Sequence, residues 1–273
     1  MKINVGNLNL YVKISGKGIP FIWAHGLMGS TQFDDIANWF NWDALSDVVK
    51  LIRYDARGHG LSDASYTPED YRWSNLAKDM IAIADSLDID TFIAGGQSMG
   101  CATAIYTSLA VPERVLGLVL ATPPTAWEVR TTQSAIWEQL AKLIETRGVK
   151  ALVGLLKQRP LLPEWLLKSQ PEILENLLKF FQTLNEKVLP IILRGAALSN
   201  LPPRNKLKSL KIPTLILAWA DDATHPLTVA EELNELLPNS QLIIANNFND
   251  LKTWPQIIRN FVTKLAHEKP KSS

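Results

Sequence analysis

Residues 95–100 read Gly95-Gly96-Gln97-Ser98-Met99-Gly100, and this segment carries the strongest structural signal in the chain. An apolar run at residues 91–94 precedes it, and a helical pattern of small residues at 101–109 follows it. This order predicts a strand, a tight turn with Ser98 at its apex, and a helix. A serine raised on a sharp turn needs neighbours with almost no side chain, and the flanking glycines meet that need. Ser98 is therefore the candidate nucleophile.

Short apolar runs and helical patterns alternate on both sides of this turn. The runs predict buried strands at residues 20–24, 49–54, 90–94, 115–121, 212–219 and 240–245. Helical spacing is clearest at residues 71–87, and it recurs at 229–236 and 254–265. Residues 3–5 and 8–15 predict an N-terminal hairpin with a turn at Gly6 and Asn7. Strands alternating with helices predict an α/β fold with a mostly parallel sheet flanked by helices.

The alternation stops after Pro124, and residues 125 to about 200 predict helices only. Proline-rich residues 201–204 then read as a linker before the strand pattern resumes. We therefore expect a core formed by residues 1–124 and 205–273, with residues 125–204 inserted as an all-helical cap. An insertion between two strands of a parallel sheet is expected to lie over the strand ends, where ligands bind in such folds.

The composition is typical of a globular enzyme, and the net charge limits the classes of partner that the protein is expected to bind. Of the 273 residues, 47% are hydrophobic and 20% charged, so a large core can be buried. A net charge of +1 gives no electrostatic basis for binding nucleic acid or an anionic membrane, so a small molecule is the expected partner. The pattern of a signal peptide and apolar runs of membrane-spanning length are absent, which predicts a cytoplasmic location.

Cofactor and metal signatures are also absent from the sequence. The turn at Ser98 lacks both the G-x-G-x-x-G pattern and the lysine of a phosphate-binding loop. The single cysteine, Cys101, excludes an intramolecular disulfide and paired-cysteine metal sites, and its small neighbours predict a packed thiol. Neither a cofactor nor a metal is therefore expected. The sequence does not indicate the oligomeric state.

Four motifs in order carry a resemblance to the α/β-hydrolase superfamily over nearly the whole chain. They are residues 25–29 (HGLMG), residues 53–62 (RYDARGHGLS), the turn at Ser98, and Asp222 with Pro226. The resemblance implies that Ser98 is the nucleophile and that Asp222 is the catalytic acid, since the family spacing places the acid four residues before proline. Asp221 is the alternative acid. It also implies that the backbone amides of Leu27 and Met99 form an oxyanion hole.

The chain departs from the family at the third catalytic position. The resemblance implies a histidine after the last strand, but residues 245–250 read ANNFND, with Asn247 at that place. An amide cannot accept a proton near neutral pH, so Asn247 cannot activate a serine hydroxyl. The general base must then come from elsewhere, or the protein lacks one.

The chain has four histidines, and each has a structural interpretation beside a catalytic one. His25 and His59 are expected to brace their loops, and His267 is expected to be solvated. His225 lies three residues after Asp222, in a loop that the family aims at the nucleophile, so it is either an unconventional base or a residue lining the pocket. A base so near Asp222 in sequence is a difficult partner for that carboxylate, which leaves Asp221 or Asp250 as alternative orienting groups.

These residues predict a hydrolase that cleaves a carboxylic ester, thioester or lactone with an apolar moiety through an acyl-serine intermediate. Ser98, Asp222 and His225 would be catalytic, with Leu27 and Met99 at the oxyanion. Two other functions stay open. The missing histidine favours a catalytically impaired protein that binds a small molecule, and the scaffold also permits a lyase or cyclase reaction without acylation.

Overall fold

A computed structural model describes residues 1–268, and it contains an eight-stranded sheet. The strands are β1 (Lys2–Val5), β2 (Leu8–Gly16), β3 (Ile19–Ala24), β4 (Val49–Tyr54), β5 (Phe92–Gln97), β6 (Val115–Ala121), β7 (Thr214–Trp219) and β8 (Ser240–Ala245). Their order in the sheet is β1-β2-β4-β3-β5-β6-β7-β8. The pairs β1–β2 and β2–β4 are antiparallel, and all the other pairs are parallel. The mostly parallel sheet of an α/β fold is thus confirmed.

Eleven α-helices of the described residues accompany the sheet. They are α1 (Thr31–Ala37), α2 (Trp73–Ser86), α3 (Met99–Ala110), α4 (Arg130–Gln158), α5 (Glu164–Ser169), α6 (Pro171–Phe181), α7 (Leu189–Ala197), α8 (Arg204–Lys208), α9 (Leu227–Leu236), α10 (Phe248–Leu251) and α11 (Trp254–Glu268). Among residues 1–268, none of these helices combines the length and the apolarity needed to cross a bilayer.

Alternate residues of each central strand enter two separate hydrophobic cores. In β3, Phe21 and Trp23 pack into one core, whereas Ile22 and Ala24 pack into the other. The same alternation continues through β7. Because successive side chains of a strand point to opposite faces, the sheet is buried on both sides, which explains why its strands are continuous apolar runs in the sequence.

The predicted strand boundaries hold at β4, β6 and β8 and fail at β5. The sequence pattern ended this strand at residue 94, but β5 continues through Gly95 and Gly96 to Gln97. Both glycines pair with β3 and β6 in the parallel ladder. A Cβ atom on Gly95 would lie 2.7 Å from the Phe21 ring, so the neighbouring side chain fills the space that a larger residue would need. The strand therefore delivers Ser98 directly at its carboxyl end.

The chain between β6 and β7 forms helices α4 to α8, of which α8 begins within the segment read as a linker. The longest, α4, has a non-helical residue at Gly148, with φ of 70° and ψ of 174°. Helices α4 and α6 contribute apolar side chains to a cavity that also contains Ser98. These helices therefore lie over the carboxyl ends of the strands.

Candidate active site

Ser98 occupies the tight turn between β5 and α3 in a strained backbone conformation. Its φ is 52° and its ψ is −110°, which a residue with a side chain rarely adopts. A Cβ atom on Gly100 would lie 2.0 Å from the Ala24 carbonyl oxygen, and one on Gly96 would lie 2.4 Å from the Gly100 backbone. Both glycines are therefore required by close backbone approach. The turn holds the Ser98 hydroxyl at the carboxyl end of the central strand β5. The loops that follow β3 and β7 begin at the same end of the sheet.

His225 joins Ser98 to Asp222 through its two ring nitrogens. The Ser98 hydroxyl donates to His225 Nε2 at 2.9 Å, and His225 Nδ1–H donates to Asp222 Oδ2 at 2.7 Å. The carboxylate accepts only, so the Nδ1 proton fixes the tautomer that leaves Nε2 free to accept. This is the geometry of a nucleophile, a general base and an orienting acid.

The Asp222 carboxylate accepts hydrogen bonds from several donors at once. Trp219 Nε1 donates to Oδ2 at 2.5 Å, and the backbone amides of Thr224 and His225 donate to Oδ1 at 2.7 and 3.2 Å. Burial raises the pKa of Asp222, but attraction to His225 and these hydrogen bonds outweigh it and leave the pKa below its ordinary value. The carboxylate is therefore ionised at neutral pH and fixed in orientation.

Asp222 can bond to the His225 ring only three residues later because the loop turns back on the Asp222 carboxylate. The two amide bonds to Oδ1 close a turn over residues 222–225, and Asp221 before it has a positive φ of 62°. The turn brings the imidazole back to Oδ2. Neither Asp221 nor Asp250 therefore orients the His225 ring. Asp221 is exposed, and the Asp250 carboxylate accepts a hydrogen bond from the backbone amide of Asn246.

Asn247 lies at the N-terminus of the short helix α10, on the exposed surface. Its side-chain oxygen accepts from the amides of Asn249 and Asp250 at 2.9 and 3.1 Å, and its Nδ2 donates to the Asp250 carboxylate at 3.0 Å. Asn247 is thus a helix cap. The sequence signal was present, because Asn followed three residues later by an acidic residue is typical of a helix start.

The other three histidines have surroundings different from those of His225. His25 is buried and its Nε2 accepts from the Ala56 amide at 3.0 Å, so its Nδ1–H donates to the Gly26 carbonyl at 2.7 Å. His59 packs edge-on against His25, and burial together with that neighbour lowers its pKa to about 3. His267 is exposed near the end of α11. Both buried rings brace loops, as expected.

The amides of Leu27 and Met99 lie beside Ser98. Met99 is the first residue of α3, and the first amides of a helix have no acceptor within it. Leu27 lies within a turn closed by the Gly29 amide bonding to the Gly26 carbonyl at 2.9 Å. A Cβ atom on Gly26 would lie 3.5 Å from Ser98 Cβ, so this turn lies against the nucleophile. The turn at residues 26–29 and the first residue of α3 therefore both lie next to the Ser98 side chain.

Arg57 and Asp55, from the motif at residues 53–62, and the single cysteine all have structural partners. Arg57 forms a two-pronged ion pair with the buried carboxylate of Asp79, at 2.8 and 2.5 Å. Asp55 accepts from the amides of Thr31 and Leu61, at 2.7 and 2.9 Å. Cys101 is buried, and its thiol donates to backbone carbonyls. None of these three side chains faces Ser98 in the way that His225 does.

Two cavities meet at Ser98. The main cavity has a volume of about 110 Å³ and an apolar lining that includes Trp39, Trp137, Leu156, Leu174, Phe181 and Trp219. The minor cavity has a volume of about 20 Å³ and a more polar lining. Ser98, Leu27, Trp137 and Thr224 border both. No cluster of three or more His, Cys, Asp and Glu side chains arranged to hold a metal occurs within residues 1–268.

Comparison with known proteins agrees with this fold. A sequence model of the alpha/beta hydrolase fold family matches residues 19–250. The chain is 27% identical over 229 residues to 3-oxoadipate enol-lactonase 1 of Acinetobacter baylyi, covering 81% of this chain and 82% of the relative. It is 26% identical over 255 residues to a putative 2-succinyl-6-hydroxy-2,4-cyclohexadiene-1-carboxylate synthase of Bacillus subtilis, covering 88% and 89%. A thermophilic esterase from Thermogutta terrifontis has a similar structure, with a TM-score of 0.83, 21% identity, and coverage of 97% and 98%.

Proposed function

Because this chain belongs to the α/β-hydrolase fold family, we propose that it is a serine hydrolase whose general base follows the catalytic acid on a single loop. The substrate is a carboxylic ester, thioester or lactone with an apolar moiety. The observation that carries the proposal is the hydrogen-bonded chain from Ser98 through His225 to Asp222, with both distances under 3 Å. Such a chain activates a hydroxyl that is otherwise a weak nucleophile.

The first half-reaction forms an acyl-serine. The Ser98 oxygen attacks the substrate carbonyl carbon while its proton passes to His225 Nε2. The carbonyl oxygen becomes an oxyanion, which the amides of Leu27 and Met99 stabilise. The tetrahedral intermediate then collapses, the bond to the leaving group breaks, and His225 returns the proton to that leaving group. Asp222 stays ionised and stabilises the imidazolium throughout.

The second half-reaction regenerates the enzyme with water as the nucleophile. His225 Nε2 takes a proton from water, and the hydroxide adds to the acyl carbon. When the second tetrahedral intermediate collapses, the bond to Ser98 breaks and the serine oxygen takes the proton back from His225. The net products are a carboxylic acid and an alcohol or thiol, or one hydroxy acid when the substrate is a lactone.

The main cavity supports an apolar substrate group. Tryptophans, leucines and a phenylalanine surround the space next to Ser98, and several of them come from α4 and α6. We propose that residues 125–204 act as a cap that covers the reacting bond and excludes water. The similarity to a protein named as an enol-lactonase supports a lactone or ester as the substrate class.

A fluorophosphonate probe tests the proposal directly, because it reacts covalently with activated serines. The wild-type protein is expected to be labelled at Ser98 and to hydrolyse 4-nitrophenyl butanoate, whereas Ser98→Ala is expected to do neither. Absence of both labelling and ester hydrolysis in folded wild-type protein would overturn the hydrolase proposal. A thermal-shift screen would then identify ligands of a protein that only binds.

A non-hydrolytic reaction is a second candidate because one relative is named as a putative synthase. In that case His225 would remove a proton from a carbon atom of the substrate and no acyl-serine would form. Mass spectrometry of the wild-type protein quenched during turnover of an ester separates the two. An increase in mass at Ser98 by the acyl group supports the hydrolase.

A further inference from the structure

Arg130, at the start of α4, is a buried cation without a buried anion beside it. Its side chain is 4% exposed, and it takes part in none of the ion pairs formed within the described part of the chain. Burial lowers the pKa of Arg130 to about 10, so the guanidinium is still charged at neutral pH. An uncompensated buried charge carries a large desolvation penalty and points to a partner that arrives with the ligand.

The existing contacts of Arg130 fix its position and leave its charge largely unbalanced. Nε and one terminal nitrogen donate to the carbonyls of Ser199 and Ala196, at 2.9 and 2.6 Å, and the other terminal nitrogen donates to Thr125 Oγ1 at 3.1 Å. The guanidinium also stacks on the Trp73 ring at 4.3 Å. Carbonyl and ring faces bring only partial negative charge, and a guanidinium has more N–H donors than these bonds use.

Arg130 lines the minor cavity together with two tryptophans whose N–H groups have no partner among the residues that the structure describes. The other lining residues include Trp73 and Trp137, and the indole N–H of each is buried without a hydrogen-bond partner among residues 1–268. Leu27 and Met99 border the same space. A buried polar atom without a partner is rare and requires an explanation. A buried cation and two unpaired indole donors on residues that line one cavity match a ligand group that is anionic and accepts hydrogen bonds.

The main cavity suits an apolar group, and the minor cavity suits a small polar group. An amphipathic substrate has one end of each kind. The main cavity is larger and apolar, whereas the minor cavity has about 20 Å³, enough for one or two water-sized groups such as carboxylate oxygens. Since Ser98 lies where they meet, a substrate carbonyl at Ser98 would extend one group into each. We infer that Arg130 binds a carboxylate on a short arm of the substrate, opposite its apolar group. This inference rests on the proposed hydrolase function.

Two matched pairs of esters test the inference for either orientation of the substrate. The first pair is 4-nitrophenyl hemisuccinate and its methyl ester, and the second is carboxymethyl butanoate and its methyl ester. Within each pair the acid and its methyl ester differ by the charge of the short arm and by one methyl group, and the uncatalysed rate of each ester is subtracted. The wild type is expected to prefer the acid in at least one pair by about tenfold in kcat/KM, the size expected for one charge-assisted hydrogen bond.

Arg130→Met is expected to lower that preference at least about fivefold. The ratio of two kcat/KM values does not depend on the folded fraction, so partial unfolding does not imitate the effect. If Arg130→Met does not fold, Arg130→Gln, which retains an amide donor for the carbonyls of Ala196 and Ser199, must show the same loss. Arg204→Met is the control, because Arg204 also stacks on a tryptophan, Trp127, but does not line either cavity.

The outcomes separate this inference from the proposed function. Equal hydrolysis of acid and methyl ester by the wild type in both pairs overturns the carboxylate site and leaves the hydrolase intact. A preference that survives in Arg130→Met removes Arg130 from the site. Failure of the wild type to hydrolyse any of the four esters counts against the hydrolase itself, and the inference falls with it.

Discussion

The Nε2 atom of His225 lies 2.9 Å from the hydroxyl oxygen of Ser98, although 127 positions of the chain separate the two residues. His225 lies in the loop after β7, and this loop also contains Asp222. In the family pattern the acid and the base come from two loops, after β7 and after the last strand. Here one loop carries both Asp222 and His225, and the last loop contains the helix cap Asn247 instead. The relative position of Asp222 and His225 therefore depends on a single turn of the chain.

Replacing His225 by alanine is expected to lower kcat/KM for 4-nitrophenyl butanoate by about a thousandfold or more, because the serine loses its general base. The rate of fluorophosphonate labelling should fall in parallel. Circular dichroism and thermal melting control for folding, since His225 is only partly buried. Labelling of the folded variant at the wild-type rate would exclude His225 as the base.

Asn247→Ala is expected to reduce stability without reducing catalysis. Removing the side-chain oxygen leaves the amides of Asn249 and Asp250 without their capping acceptor, which costs about 1 kcal/mol. Denaturant unfolding measures the loss, and ester hydrolysis is expected to stay within about twofold of wild type, since Asn247 does not line either cavity. A large loss of kcat in a stable variant would show that the last loop takes part in catalysis.

Trp219→Phe is expected to alter the pH dependence of catalysis, because Trp219 Nε1 donates to the Asp222 oxygen that also accepts from His225. A carboxylate with one donor fewer holds the imidazole proton more tightly. The acid limb of the kcat/KM profile should therefore move to higher pH, and kcat should fall by about tenfold.

Trp39→Phe is the matched control for this prediction. Trp39 also lines the main cavity and packs edge-on against Trp219 at 5.1 Å, but its indole N–H has no partner among the described residues. This variant should change KM through cavity shape and leave the acid limb in place. An equal displacement of the limb in both variants would assign the effect to packing.

Asp34→Asn is expected to stabilise the protein at neutral pH. Burial raises the pKa of Asp34 to about 7, against 3.8 ordinarily, and attraction to Arg53 opposes that rise only in part. Between these values the unfolded chain has lost the proton and the folded chain retains it, so this group's contribution to stability falls as pH increases. The amide does not titrate.

The difference in unfolding free energy between Asp34→Asn and wild type should therefore grow by at most about 1.4 kcal/mol per pH unit from about pH 4 to 7. Urea unfolding at pH 4.5, 6 and 7.5 measures this difference. The comparison between variants cancels the opposite pH dependence of buried His59, whose lowered pKa makes stability fall as pH decreases. A difference that does not change with pH would mean that Asp34 is ionised in the folded protein.

Gly100→Ala is expected to destabilise the protein by more than about 2 kcal/mol, because the added methyl would lie 2.0 Å from the Ala24 carbonyl oxygen. Gly154→Ala is the control. Gly154 lies in α4 with no atom within 4 Å of the added methyl, so alanine there should stabilise by about 0.5–1 kcal/mol. Thermal melting of both variants gives the comparison. Equal stability of the two would contradict the close packing of the Ser98 turn.

The sequence indicated the elements of the site that depend on local chemistry. Gly96, Ser98 and Gly100 identify the strained turn because only glycine tolerates its close backbone contacts, and the alternating apolar runs indicate the parallel sheet. The same local signals were misleading at the end of β5, where Gly95 pairs within the sheet, and uninformative about Trp219, whose role depends on where its N–H points.

The pairing of His225 with Ser98 and Asp222 was decided by the tertiary structure alone. From sequence, His225 was one of four histidines, and its distance of three residues from Asp222 counted against a partnership. The amide bonds that curl residues 222–225 back onto one carboxylate oxygen leave the other for the imidazole, and the sheet order places β7 close enough to β5 for that ring to meet Ser98. Hydrogen bonds between residues far apart in the chain depend on how strands are arranged, and residue spacing alone does not contain that arrangement.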